Sequence, residues 1–180
     1  MRLVLRHRAA NLFCTVWLLT SNASDLIAQG KYSFDLDVPV ARFSYWKIED
    51  IGLATRLTAD LEIRELRKDS QWKPTFQLVI GRDDKSVALV LTRDGENTVS
   101  ASLRVVEQDK TVADGSIDAW KLKKAQRFLV QMDWSTAGSV AVSSDGQSWG
   151  RFPLSFAPQS VTVAASTGEL VAHSLNLAGK

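Results

Sequence analysis

The stretch Arg56-Leu57-Thr58-Ala59-Asp60-Leu61-Glu62-Ile63-Arg64 alternates apolar and polar side chains at every step. Successive side chains of an extended chain point to opposite faces. Leu57, Ala59, Leu61 and Ile63 therefore share one face, and Thr58, Asp60, Glu62 and Arg64 share the other. A helix would scatter the same residues around its circumference. The reading is a strand with one face buried and one in water.

The same period continues outward from this stretch. Phe76 to Ile80, Ser86 to Leu91, Val99 to Val106, and Phe128, Val130, Met132 and Trp134 all read as strands, as do Ser139 to Ser143, Ser160 to Ala165 and Glu169 to Leu177. Asp94-Gly95, Asp114-Gly115 and Asp145-Gly146 supply turn residues between runs, with a further break at Asp109-Lys110. Ser166-Thr167-Gly168 separates the last two runs. A first strand is expected at Tyr32 to Leu36. Val38 to Gly52 has mixed periodicity and reads as a long connection holding a short strand. Ala119 to Phe128 is the best helical window, good for one turn. About ten short strands divided by turn residues predict an all-β chain, an antiparallel two-sheet β-sandwich.

The N-terminus has a different character. Arg2, Arg6 and Arg8 precede the apolar run Ala9 to Leu19, and Ser21-Asn22-Ala23 follows with small residues. This is the layout of a secretory signal peptide. The apolar run is well short of the roughly 20 residues that span a bilayer. Residues 1–23 are expected to be removed, leaving a single domain over 24–180, exported to the periplasm or the extracellular space, with no transmembrane segment. The chain holds 22 Lys and Arg against 20 Asp and Glu. Without the three leader arginines that balance becomes nearly neutral, which disfavours nucleic acid as a partner. Cys14, the sole cysteine, lies in the leader, so no disulfide or thiolate site is expected beyond it. About 157 residues are enough to bury a core without one.

A resemblance attaches to particular segments. Tyr32 to Leu36, the ladder Leu57 to Ile63, and the strand Phe128 to Trp134 followed by Val140-Ala141-Val142-Ser143-Ser144-Asp145-Gly146 precede a closing strand Glu169 to Leu177. Together they resemble the concanavalin A-like lectin/glucanase superfamily, whose jelly rolls pair such a strand with a V-x-V-x-x-D-G hairpin. The resemblance covers most of the chain after the leader. It implies a jelly-roll fold and a lectin-like module with a polysaccharide or glycan as ligand. Enzymes of that superfamily carry alternating acids on one strand, E-x-D-x-E or E-x-D-x-x-E, as nucleophile and acid/base of a retaining glycosidase. Asp60, Glu62 and Glu65 approach the longer pattern, provided a bulge after Ile63 returns Glu65 to the face. The first two identities are exchanged and Arg64 stands where an apolar residue belongs. A guanidinium there favours ionised carboxylates, whereas a general acid must hold its proton. A solvated strand face with cross-strand ion pairs is the favoured reading of these acids, ahead of catalysis.

His173 has no second histidine or cysteine beyond the leader to share a metal, and no G-x-S-x-G elbow points to a triad, so neither a metal nor a cofactor is expected. Asp83-Asp84, Asp94 to Asn97 and Asp145-Gly146 read as turn chemistry ahead of calcium loops. Five of the six tryptophans lie beyond the leader. Trp134 is in phase with a core face, and Trp149 precedes Phe152, Leu154 and Phe156. Tyr45 and Trp46, Trp72, and Trp120 fall in connections or beside polar residues, where an aromatic ring can present its face to a sugar. Packing over the ends of a sandwich is the more common role for rings in such places, and sugar binding is the functional reading set beside it. The reading is a non-catalytic lectin-like module; carbohydrate as its ligand is what the resemblance implies, and the residues themselves add only the surplus tryptophans. A glycoside hydrolase or polysaccharide lyase, and a structural or interaction domain of the cell envelope, remain as alternatives.

Overall fold

The computed structural model describes residues 31–108 and 110–179, with the side chains of residues 118–120 excepted. The leader expected over residues 1–23, with its expected cleavage point, lies outside the described residues. Ten strands occur in chain order: β1 (Lys31–Glu49), β2 (Ala54–Leu66), β3 (Thr75–Arg82), β4 (Lys85–Arg93), β5 (Thr98–Glu107), β6 (Lys110–Lys123), β7 (Arg127–Asp133), β8 (Ser139–Ser144), β9 (Gln147–Pro153) and β10 (Ser160–Gly179). Every pairing is antiparallel, and there is no helix among the described residues.

Two long strands make the sandwich. The first half of β10, Ser160 to Ser166, pairs with β3 and with the second half of β1, Phe43 to Glu49. Its second half, Gly168 onward, pairs with β2 and with the first half of β1. Both strands thus cross from one sheet to the other. The first sheet runs β6-β5-β4-β3-β10-β1, and the second runs β1-β10-β2-β7-β8-β9. The crossing is built from backbone irregularities. Ala41 and Thr167 adopt positive φ, and the β1 register shifts between Val38 and Phe43. A Cβ at Gly168 would stand 2.5 Å from the Glu65 carbonyl oxygen and 2.9 Å from Phe76 Cζ, so only glycine fits where the sheets part.

The structure corrects four expectations, the first two through these bends. Val38 to Gly52 is mostly strand, because its irregular periodicity reflects the kink at residues 39–42 and not a loop. Ser166-Thr167-Gly168 bends one strand without ending it. Asp114-Gly115 lies inside β6, where Asp114 pairs with Arg104. The window Ala119 to Phe128 holds the end of β6 and a turn, with Ala125 at φ +60, in place of a helical turn. Asp145-Gly146 forms the β8–β9 turn with both residues at positive φ, as a two-residue hairpin requires.

The core lies between the sheets. Leu57, Leu61 and Ile63 of β2 face Phe76, Ile80, Leu89 and Leu103 of the first sheet's strands, all fully buried. Each such side chain contributes roughly 1.5–3 kcal/mol through removal from water. Trp134 joins the core and donates Nε1–H to the Ala54 carbonyl at 2.8 Å, which satisfies its buried polar atom.

Candidate functional site

The outer face of the second sheet carries the acids of β2. The register opposite β10 passes from Ile63 to Glu65, which leaves Arg64 as the extra residue of a bulge. The bulge follows Ile63, as the spacing requires. Each acid already has a cation. Arg127 donates to Asp60, with Nε at 2.6 Å. Glu62 lies 2.8 Å from His173 Nε2 and 3.5 Å from Arg64 Nε. Glu65 accepts from Arg67 at 2.7 Å, and Arg67 also reaches Asp37. The hydrogen bond from Arg127 holds the Asp60 carboxyl below its ordinary range. The contact with His173, helped by Arg64, does the same for Glu62. Both are kept ionised near neutral pH, the opposite of what a general acid needs. Glu169, across the bulge, moves the other way, because desolvation and then Asp35 disfavour its charge. The face is an ion-paired surface on which Asp60 and Glu62 are held ionised, while Glu169 alone among the shifted acids here is moved toward keeping its proton.

The outer face of the first sheet is different. Alternation along the second half of β1 puts Phe43, Tyr45, Lys47 and Glu49 outward and Ser44, Trp46 and Ile48 inward. Phe43 and Tyr45 are 61% and 60% exposed, and their ring centroids are 6.1 Å apart. Registers carry this row across the sheet. Tyr45 pairs with Ala164, Ala164 with Gln77, Gln77 with Val90, and Val90 with Ser102. One level along, Phe43 pairs with Ser166, Ser166 with Thr75, Thr75 with Thr92, and Thr92 with Ser100. The floor is therefore made of small side chains. At the far side Arg104 pairs with Asp114, 3.5 Å between their charged groups, and the Arg104 Nε has no hydrogen-bond partner. Four strand spacings separate Tyr45 from Ser102, about 19 Å. An exposed aromatic pair thus borders a row of hydroxyl, amide and small apolar side chains.

No protein-family model matches the chain, and neither does any curated protein sequence. Solved structures do. A galectin of Caenorhabditis elegans, LEC-6, superposes with a TM-score of 0.50 at 11% identity, over 80% of this chain and 95% of that one. Congerin II bound to lactose and MES gives 0.58 at 11% identity, over 75% of this chain and all of the other. The toad ovary galectin in complex with thio-digalactose gives 0.50 at 10% identity, over 74% and 98%. The chain has a galectin-like fold. This agrees with the antiparallel β-sandwich fold that the sequence resemblance implies.

Within this galectin-like sandwich the aromatic residues singled out from sequence part company. Tyr45 stands on the outer face of the first sheet. Trp46, its neighbour, points inward, with its ring stacked on Phe34 at 4.5 Å and tilted against Tyr32 at 5.0 Å. Its half-buried ring differs from the exposed one expected in a connection, because the segment is a strand whose alternation turns residue 46 toward the core. Trp72 is 59% exposed in the β2–β3 connection. Asp69 Oδ1 accepts from the Gln71 and Trp72 amides, each at 2.7 Å, and this fixes the backbone beneath the ring. The Trp120 side chain lies outside the described residues. Phe43, Gln77, Ser102 and Arg104 join the face without having been singled out. The signal for Phe43 was present in Phe43-x-Tyr45-x-Lys47-x-Glu49, but the kink before it breaks the period.

Proposed function

We propose that the chain is a non-catalytic, lectin-like module that binds a carbohydrate on the outer face of its first sheet. The observation that carries this reading is the exposed pair Phe43 and Tyr45 beside a cross-strand row that includes hydroxyl and amide side chains. Exposed aromatic rings are costly to leave in water and match the apolar C–H face of a sugar ring. Gln77, Thr92, Ser100 and Ser102 offer donors and acceptors to its hydroxyls. Two structural neighbours hold lactose and thio-digalactose, which supports a saccharide as the ligand class. Trp72, exposed in the connection that leads into β3, offers a further ring. The leader-like residues 1–23 support export as the setting for such a module.

Titration of the chain with lactose and a panel of neutral and acidic oligosaccharides tests the proposal. Binding raises the melting temperature by mass action. Saturable binding that Tyr45→Ala weakens by about tenfold, with an unchanged melting temperature of the free protein, is the expected result. Binding that is insensitive to Tyr45→Ala and Phe43→Ala refutes the assignment to this face. Mass spectrometry of exported protein beginning near Ser24 is the corresponding result for the leader, and an intact Met1 would contradict it.

A further inference from the structure

At one end of the first sheet a cleft of about 550 Å³ opens between the β2–β3 connection and the β4–β5 turn. Lys68, Lys73, Arg93, Asp69 and Asp94 line it. The two walls are tied together by the Arg93 amide, which donates to the Pro74 carbonyl at 3.0 Å. The cleft is continuous with the outer face, since Thr75 and Thr92, the next residues along β3 and β4, form a cross-strand pair in its outward row. Trp72 stands exposed in the same connection.

The charges of this cleft are not balanced against one another. Asp69 is occupied by the Gln71 and Trp72 amides. Asp94 accepts from Thr98 Oγ1 at 2.7 Å and lies 3.5 Å from Lys121, and the Thr98 hydrogen bond keeps its carboxyl below the ordinary range. Glu96, beside the cleft, is 3.2 Å from Lys68. The acids are thus committed within the protein. Two cations are not: among the described residues Lys73 forms no ion pair, and Arg93 spends only its Nε, on the Gly95 carbonyl at 2.7 Å. The terminal amino groups of Arg93 remain for an oxyanion, two of whose oxygens a guanidinium can bind in a bidentate manner.

We infer that the cleft takes the anionic group of an acidic saccharide, a uronic carboxylate or a sulfate, held by Lys73 and Arg93 while neighbouring rings lie on the outer face. The inference rests on the glycan-binding reading and narrows its ligand class. Neutral saccharides would use the face alone. Acidic ones gain charge-assisted contacts at its end.

Three probes separate the possibilities: oligogalacturonides for the carboxylate, dextran sulfate for the sulfate, and unmodified dextran or lactose as neutral references. The chain, its Lys73→Glu/Arg93→Glu variant and a Lys31→Glu/Arg151→Glu variant with the same charge change on the second sheet are titrated with each. One acidic probe should bind at least about tenfold more tightly than its neutral reference and weaken as salt rises. The Lys73/Arg93 variant should lose about that factor while keeping neutral-sugar binding and its melting temperature, and the Lys31/Arg151 variant should keep it. Which acidic probe binds identifies the group. Equal affinity for neutral and acidic probes, or equal loss in both double variants, overturns the inference and leaves the glycan-binding reading standing. If Tyr45→Ala leaves neutral and acidic binding unchanged, the glycan-binding face itself is refuted.

Discussion

Replacing Gly168 by alanine tests the crossing of the two sheets. The added Cβ would meet the Glu65 carbonyl oxygen at 2.5 Å and Phe76 Cζ at 2.9 Å. The first is backbone of the β2 bulge, and the second is the edge of a fully buried ring. Neither can swing aside as a flexible chain end would, so β10 must shift away from β2 at the point where it joins both sheets. Overpacking of this kind costs about 1–3 kcal/mol. Gly168 is not in the left-handed region, so alanine also removes some freedom from the unfolded chain, offsetting about 0.4–1 kcal/mol. Against a glycine-to-alanine change that carries the same offset, the expected loss is about 1–3 kcal/mol, which lowers the melting temperature by roughly 2–12 °C in a domain of this size. Gly115→Ala is the control, because nothing lies within 4 Å of its added Cβ. Urea and thermal unfolding of the three proteins decide the matter. A Gly168→Ala variant as stable as the Gly115→Ala variant would refute the close approach on which the description of the crossing depends.

Three other outcomes are expected. Trp134→Ala should cost about 3–5 kcal/mol by lost burial and the cavity left behind, whereas Trp72→Ala should leave urea unfolding nearly unchanged. Trp46→Ala should destabilise measurably, because its ring stacks on Phe34, and an unfolding curve matching that of Trp72→Ala would contradict its inward placement. Acid should unfold the chain partly through β2. Asp60 and Glu62 are held ionised by Arg127 and His173, so their contribution is present above their ordinary values of 3.8 and 4.5 and disappears as pH falls through the lower folded values. Asp60→Asn with Glu62→Gln should flatten stability against pH below about 4.5, and an unchanged acid limb would show that these pairs contribute nothing.

The sequence shows the fold through local period. Leu57 to Ile63, Phe76 to Ile80 and Phe128 to Met132 alternate cleanly because each lies within one sheet with one face in the core. Legibility ended where strands change sheets. At Val38 to Phe43 and at Thr167-Gly168 the chain kinks, the register shifts and the two-residue period breaks, so one strand read as a connection and another as two. The same kinks obscured the site. Tyr45 was visible as an aromatic residue, but only the register through Ala164, Gln77 and Val90 shows which side chains share its face. Arg64 was readable as a neighbour that keeps carboxylates ionised. The larger partners, Arg127 for Asp60 and His173 for Glu62, are 67 and 111 residues away and depend on strand pairing that no local pattern records.

Backbone amide shifts in a nuclear magnetic resonance titration with lactose and with oligogalacturonides test the central claim most directly. The account predicts saturable shifts confined to the first sheet, at Phe43 to Lys47, Gln77, Val90 to Thr92 and Ser100 to Arg104, with Lys73 and Arg93 added for the acidic ligand. Shifts that cluster instead on β2, β7 and β8, around Asp60, Glu62 and His173, would contradict it and return the site to the ion-paired face of the second sheet.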